Sequence, residues 1–105
     1  MIHVLVRGIC VLYPLNVDLT GRLVVVVGGG IVAERKVTGI LAAGERSVVH
    51  VIAPAVTAQL RALADSGRID WHSVRYAYGM LEGAFLVYAA TDCPAVNAEV
   101  AAEAE

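Results

Sequence analysis

A glycine-rich turn is the part of this sequence whose residue types and spacing could do chemistry. Gly28-Gly29-Gly30-Ile31-Val32-Ala33 matches G-x-G-x-x-G/A and lies between a predicted strand and a predicted helix. Gly28 would permit a sharp exit from the strand, Gly30 the approach of a pyrophosphate, and Ala33 close packing of the helix on the strand. The free N–H groups of that helix attract such an anion. The turn therefore predicts a dinucleotide-binding site. The alternative is that the glycines serve only to reverse the direction of the chain.

Short β-branched runs alternate with longer stretches of helical period around this turn. The apolar run 23–27 predicts a strand buried on both faces, and the stretch 31–43 predicts an amphipathic helix that stops at Gly44. Further strands are predicted at 47–52, 69–74 and 84–90, a turn region at 76–83, and further helices at 56–66 and 94–103. The fold class predicted is α/β: a Rossmann-like NAD(P)-binding domain whose parallel sheet has the order 3-2-1-4, with helices on both faces.

Residues 1–12 do not fit this plan, because Arg7 and Gly8 break their apolar character. They predict an N-terminal extension, which is either an additional edge strand over residues 2–6 or a disordered arm. Residues 13–105 form the predicted Rossmann-like domain, since a chain of 105 residues is long enough for one domain and too short for two.

The composition excludes several functional classes. Hydrophobic residues make up 58% of the chain and charged residues only 17%, so we expect a folded chain with part of its surface covered in a homo-oligomer. A net charge of −2 and a single lysine, Lys36, argue against a nucleic-acid partner. No strongly apolar run approaches the roughly 18 residues that a membrane span needs.

The cysteines and histidines indicate compartment and metal content. Cys10 and Cys93 are too few for a disulfide framework, and basic residues interrupt the apolar amino terminus, so we expect a cytoplasmic protein without a signal peptide. His3, His50 and His72 lack metal-ligand spacing, and no metal site is predicted.

The residues after the second predicted strand do not show how a ribose would be held. Dinucleotide folds usually place an Asp or Glu there, whereas this chain has Ala53-Pro54-Ala55. No arginine follows directly either, since Arg46 lies before the strand. The choice between NAD and NADP is therefore not decided by these residues.

Several short motifs accompany the glycine turn and together resemble the amino-terminal, NAD-binding domain of siroheme synthase. That family comprises the NAD-dependent precorrin-2 dehydrogenases, some of which are also sirohydrochlorin ferrochelatases. The matching motifs are Tyr13-Pro14-Leu15, Asp18-Leu19-Thr20-Gly21-Arg22, Val25-Val26-Val27-Gly28-Gly29-Gly30, Val32-Ala33-Glu34-Arg35-Lys36, Ala43-Gly44, Ala53-Pro54, and Ala89-Ala90-Thr91-Asp92 with Asn97. They cover nearly the whole chain from Tyr13 onward.

The resemblance implies oxidation of precorrin-2, a tetrapyrrole, to sirohydrochlorin, with hydride passing to NAD. The cofactor contacts that it implies are Gly28, Gly29, Gly30, Ile31, Val32, Pro54, Ala55, Ala90, Thr91 and Asp92. The last three follow the fourth strand, which flanks the crevice at the topological switch point of such a sheet. Asp92 has a second interpretation, in which it only caps the last helix.

The chain departs from the family pattern in three ways. Residues 45–52 are two longer than the usual spacing, and Cys93 stands where an acidic residue is common, a thiol for which an inert role is favoured. The third departure concerns catalysis. The family continues into a fifth strand that bears its catalytic aspartate and then into a dimerisation and tetrapyrrole-binding domain, whereas this sequence stops at Glu105. The catalytic residue is therefore unknown.

Three hypotheses remain open from the sequence. In the first, the chain is the NAD-binding part of a precorrin-2 dehydrogenase and is completed by an oligomer or a complementing domain. Alternatively, it is a non-catalytic nucleotide-binding or regulatory module, or an inactive truncated homologue whose bare sheet edge is covered by residues 1–12 or by another subunit.

Overall fold

The structure is a computed structural model that describes residues 3–6, 9–11, 22–42 and 48–104. The motifs at 13–15 and 18–21 and the helix stop at Gly44 lie outside the described residues. The helices and strands of the described part are, in chain order, β1 (His3–Val6), β2 (Ile9–Val11), β3 (Leu23–Val27), α1 (Ile31–Ala42), β4 (Val48–Ile52), α2 (Ala58–Asp65), β5 (Asp70–His72), β6 (Leu86–Ala89) and α3 (Pro94–Ala104).

The strands form one sheet in the order β2-β1-β6-β3-β4-β5. Four of them are parallel neighbours: β3 lies between β4 and β6, with Val25 opposite His50 on one side and Val87 on the other, and β5 pairs with β4. When the parallel strands β3, β4, β5 and β6 are numbered 1 to 4 along the chain, their order in the sheet is 3-2-1-4. The predicted order and the Rossmann-like class are thus confirmed.

The alternating side chains of the central strands supply two cores, one on each face of the sheet. Val24 and Val26 point to the core under α1 and α2, whereas Val25 and Val27 point to the core under α3. All four are at most 1% exposed, which explains why β3 is an unbroken apolar run. Helices therefore cover both faces, as the sequence predicted.

The connection from β5 to β6 differs from the other crossovers because it consists of turns instead of a helix. Leu81 and Ala84 from this connection are buried in the same core as α3. The turns therefore cover part of the sheet face that a helix would otherwise cover.

Strands β1 and β2 extend the sheet beyond β6. Strand β1 runs antiparallel to β6, with Leu5 opposite Val87, and β2 pairs with the outer side of β1. The two edges of the described sheet are therefore β2 and β5, and β1 lies inside it.

A candidate dinucleotide-binding site

A cavity of about 940 Å³ lies at the carboxyl ends of β3, β4 and β6. Every residue that the sequence predicted as a cofactor contact lines it: Gly28, Gly29, Gly30, Ile31, Val32, Pro54, Ala55, Ala90, Thr91 and Asp92. The chain brings them together from three loops because the carboxyl ends of parallel strands share one edge of the sheet.

The three glycines have different roles. Gly28 has φ +134°, and a Cβ there would lie 2.3 Å from the Ala90 carbonyl oxygen. A Cβ on Gly29 would lie 2.0 Å from the Ala55 carbonyl oxygen, whereas a Cβ on Gly30 would have no atom within 4 Å. Close packing of the loops therefore requires the first two glycines, and only the third has free space beside it.

The first turn of α1 borders that free space. The Glu34 N–H donates to the Gly30 carbonyl over 2.9 Å and closes the turn. The N–H groups that precede Glu34 in the helix lack an intrahelical acceptor, as at any helix start. Ile31 and Val32 are 61% and 42% exposed although they are apolar. An anionic ligand could thus reach the helix N–H groups with apolar contacts beside it.

The loop after β4 is fixed to the glycine turn and to α1. The Thr57 N–H donates to the Gly29 carbonyl over 2.9 Å. Its hydroxyl donates to Glu34 Oε1 over 2.7 Å and accepts from the Leu60 N–H over 3.2 Å, so Thr57 also caps α2. This link was not predicted from the sequence, and α2 begins at Ala58 instead of the predicted residue 56. A threonine directly before a helical apolar pattern was the available signal.

The loop after β6 is fixed by a buried amide. Asn97 is 3% exposed, and its Oδ1 accepts from the Thr91 hydroxyl over 2.6 Å and from the Thr91 N–H over 3.2 Å. Its Nδ2 donates to the Thr91 carbonyl over 3.1 Å. Asp92 is exposed, and no hydrogen bond in the described part of the chain joins its carboxylate to the start of α3. Cys93 is an exposed free thiol.

Arg75 and Tyr76 also line the cavity, and the sequence analysis did not select them. The Tyr76 hydroxyl donates to Glu103 Oε1, and the same carboxylate accepts N–H groups of Gly79 over 3.0 Å and Leu81 over 3.1 Å. Burial, together with the hydrogen bond and negative charge of Glu103, raises the pKa of Tyr76 far above its usual value. Glu103 on α3 therefore fixes the course of the β5–β6 connection.

His50 and His72 lie outside this cavity. His50 Nε2 is 3.3 Å from Asp70 Oδ2, and the rings of His50 and His72 are 5.0 Å apart. Across the described ranges no group of three or more His, Cys, Asp or Glu side chains could hold a metal ion. Nor is any helix in those ranges long and apolar enough to cross a membrane.

Residues 15–105 match a protein-family model described as "Putative NAD(P)-binding". The chain belongs to this family. It is 41% identical over 92 residues to a siroheme synthase of Photorhabdus laumondii, covering 88% of this chain and 19% of that protein. It is 46% identical over 87 residues to siroheme synthase 1 of Aeromonas salmonicida, covering 83% of this chain and 18% of that protein.

A solved structure named "SirC, precorrin-2 dehydrogenase" superposes with a TM-score of 0.79 at 33% identity, covering 86% of this chain and 44% of that chain. The resemblance to the NAD-binding domain of siroheme synthase is thus confirmed. The chain spans about a fifth of the length of these siroheme synthases and less than half of the solved dehydrogenase.

Proposed function

We propose that this chain is the NAD-binding part of a precorrin-2 dehydrogenase. The observation that supports the proposal most strongly is the space beside Gly30, where a backbone without a side chain faces the cavity at the start of α1. This space and the adjacent helix N–H groups fit the diphosphate of a dinucleotide. The residues present therefore fit the cofactor.

In the proposed complex the three loops have separate tasks. The turn 28–32 binds the diphosphate, Pro54 and Ala55 contact the adenosine half, and the loop 90–92 contacts the nicotinamide half, because it follows the strand on the other side of β3. The Asn97 amide holds Thr91 in place and so orients this loop. Bound NAD would supply the hydride acceptor for precorrin-2.

Dehydrogenation also needs a group that takes a proton from the substrate. Among the described residues that line the cavity, Asp92 is the one carboxylate, and it is exposed. We do not assign it as the catalytic base. We propose instead that the cofactor-binding residues belong to this chain and that an oligomer or a complementing domain completes the tetrapyrrole site. The low charged fraction and the two cysteines support the proposal of a cytoplasmic oligomer.

The sole tryptophan provides a test of cofactor binding. Its indole Nε1 donates over 2.9 Å to the carbonyl of Ala53, which lines the cavity. We expect the fluorescence of Trp71 to change and then saturate as NAD is added. Calorimetry should give one NAD-binding site per chain. Absence of both signals would overturn the proposal. Binding of NAD without NADH formation from precorrin-2, in the presence of the proposed complementing domain, would instead favour the non-catalytic module.

A further inference from the structure

Two charged side chains line the cavity, and they come from opposite sides of β3. Arg75 follows β5, which lies beyond β4, whereas Asp92 follows β6 on the other side. In dinucleotide folds the residue that recognises the adenosine ribose follows the second strand of the unit, which here is β4. A dinucleotide whose diphosphate lies at the glycine turn therefore has its adenosine half toward β4, β5 and Arg75.

The segment that carries Arg75 is held beside the loop after β4. Trp71 Nε1 and Ser73 Oγ donate to the carbonyls of Ala53 and Pro54 over 2.9 and 3.4 Å. The Ala53 N–H donates to the His72 carbonyl over 3.2 Å. The bond from Tyr76 to Glu103 fixes the other side of Arg75. The residues before Arg75 are thus hydrogen-bonded to the loop where the adenosine ribose is expected.

The positive charge of Arg75 favours an anion at this end of the cavity. NAD-specific sites place a carboxylate after the second strand, which binds the ribose 2′-hydroxyl and repels a 2′-phosphate, whereas an arginine accommodates that phosphate. Here these positions hold Ala53, Pro54 and Ala55, and Arg75 lines the same cavity. The one contact of ion-pair length in the described ranges joins His50 and Asp70, so no described carboxylate neutralises the exposed Arg75.

We infer that Arg75 binds the 2′-phosphate of NADP, so that this cavity takes NADP as well as NAD and Arg75 sets the preference between them. The inference rests on the proposed function, because it assumes that the cavity holds a nicotinamide dinucleotide. A guanidinium suits this role, since its planar N–H groups can make two charge-assisted hydrogen bonds to one phosphate.

The test is calorimetric titration of the full chain with NAD and with NADP, before and after Arg75→Ala. We expect the Kd for NADP to rise about tenfold and the Kd for NAD to stay within about twofold, since one charge-assisted contact would be lost only from NADP. Arg68→Ala is the matched control, because Arg68 is also exposed but does not line the cavity. Arg75→Lys should retain part of the NADP affinity. If Arg75→Ala fails to fold, Arg75→Gln gives the same comparison.

Each other outcome overturns the inference. An equal loss of affinity for both dinucleotides would place Arg75 on the diphosphate or the adenine, and no loss would remove it from the site. Binding of NAD without NADP by the unmodified chain would refute the inference while leaving the proposed function intact. Binding of neither dinucleotide would refute both.

Discussion

Gly30→Ala separates cofactor binding from folding. An ideal Cβ at Gly30 has no atom within 4 Å, and the residue does not have the positive φ that Gly28 has. An alanine therefore fits the protein itself, and we expect the free energy of unfolding to stay within about 1 kcal/mol of its original value. The same Cβ would occupy the space through which the diphosphate is proposed to approach the helix.

The expected loss of affinity follows from the contacts that the Cβ would prevent. A hydrogen bond to a charged group contributes roughly 1.5 to 3 kcal/mol, so loss of one N–H contact to the diphosphate should weaken NAD binding by roughly ten- to a hundredfold. Calorimetry gives the Kd, and urea denaturation followed by circular dichroism gives the free energy of unfolding.

Gly39→Ala is the matched control for Gly30→Ala. Gly39 lies within α1 and also has open space around it, but it does not line the cavity. We expect this change to stabilise the chain by about 1 kcal/mol, because alanine has the higher helix propensity, and to leave the Kd for NAD unchanged. If Gly30→Ala binds NAD as tightly as the original chain, the diphosphate does not approach the helix beside Gly30.

Three further changes test the packing around the cavity. Gly29→Ala should lower the free energy of unfolding by at least about 2 kcal/mol in urea, because its Cβ would lie 2.0 Å from the Ala55 carbonyl oxygen; an unchanged midpoint would contradict the packing. Asn97→Ala should cost about 1 to 3 kcal/mol by the same measurement, because Thr91 loses its three hydrogen bonds to the buried amide; a cost near zero would count against the role of these bonds. Because the pKa of Tyr76 is raised in the folded state, its neutral hydroxyl stabilises the fold below the ordinary tyrosine pKa of 10.0, and this stabilisation is lost as the pH rises above that value. Tyr76→Phe should therefore show a smaller loss of stability than the original chain between about pH 9 and 11, and equal slopes would disprove this explanation.

The sequence was sufficient to predict the elements whose pattern is local. The apolar run 23–27, the glycine turn and the amphipathic period of 31–43 predicted β3, the cavity edge and α1. The order of the parallel strands followed from the handedness of crossovers, which is a general rule that needs no side-chain detail. The loops at 54–55 and 90–92 were predicted by resemblance, and the structure brings them to one cavity.

The missed features depend on partners that are distant in the sequence. The requirement for Gly29 comes from the Ala55 carbonyl, and the place of Tyr76 comes from Glu103, 27 residues away. Residues 1–12 left two interpretations because a short apolar strand is defined by the strand with which it pairs, and here that strand is β6. No local period contains this information.

The proposed function requires that a dinucleotide diphosphate lies against the backbone at the start of α1. The most direct test is an amide NMR titration of the ¹⁵N-labelled chain with NAD. We expect the largest shift changes at the N–H groups of Gly30, Ile31 and Val32, with smaller changes at Ala55 and Thr91. Saturable binding that leaves the amides of residues 28–33 unshifted would contradict this placement of the diphosphate.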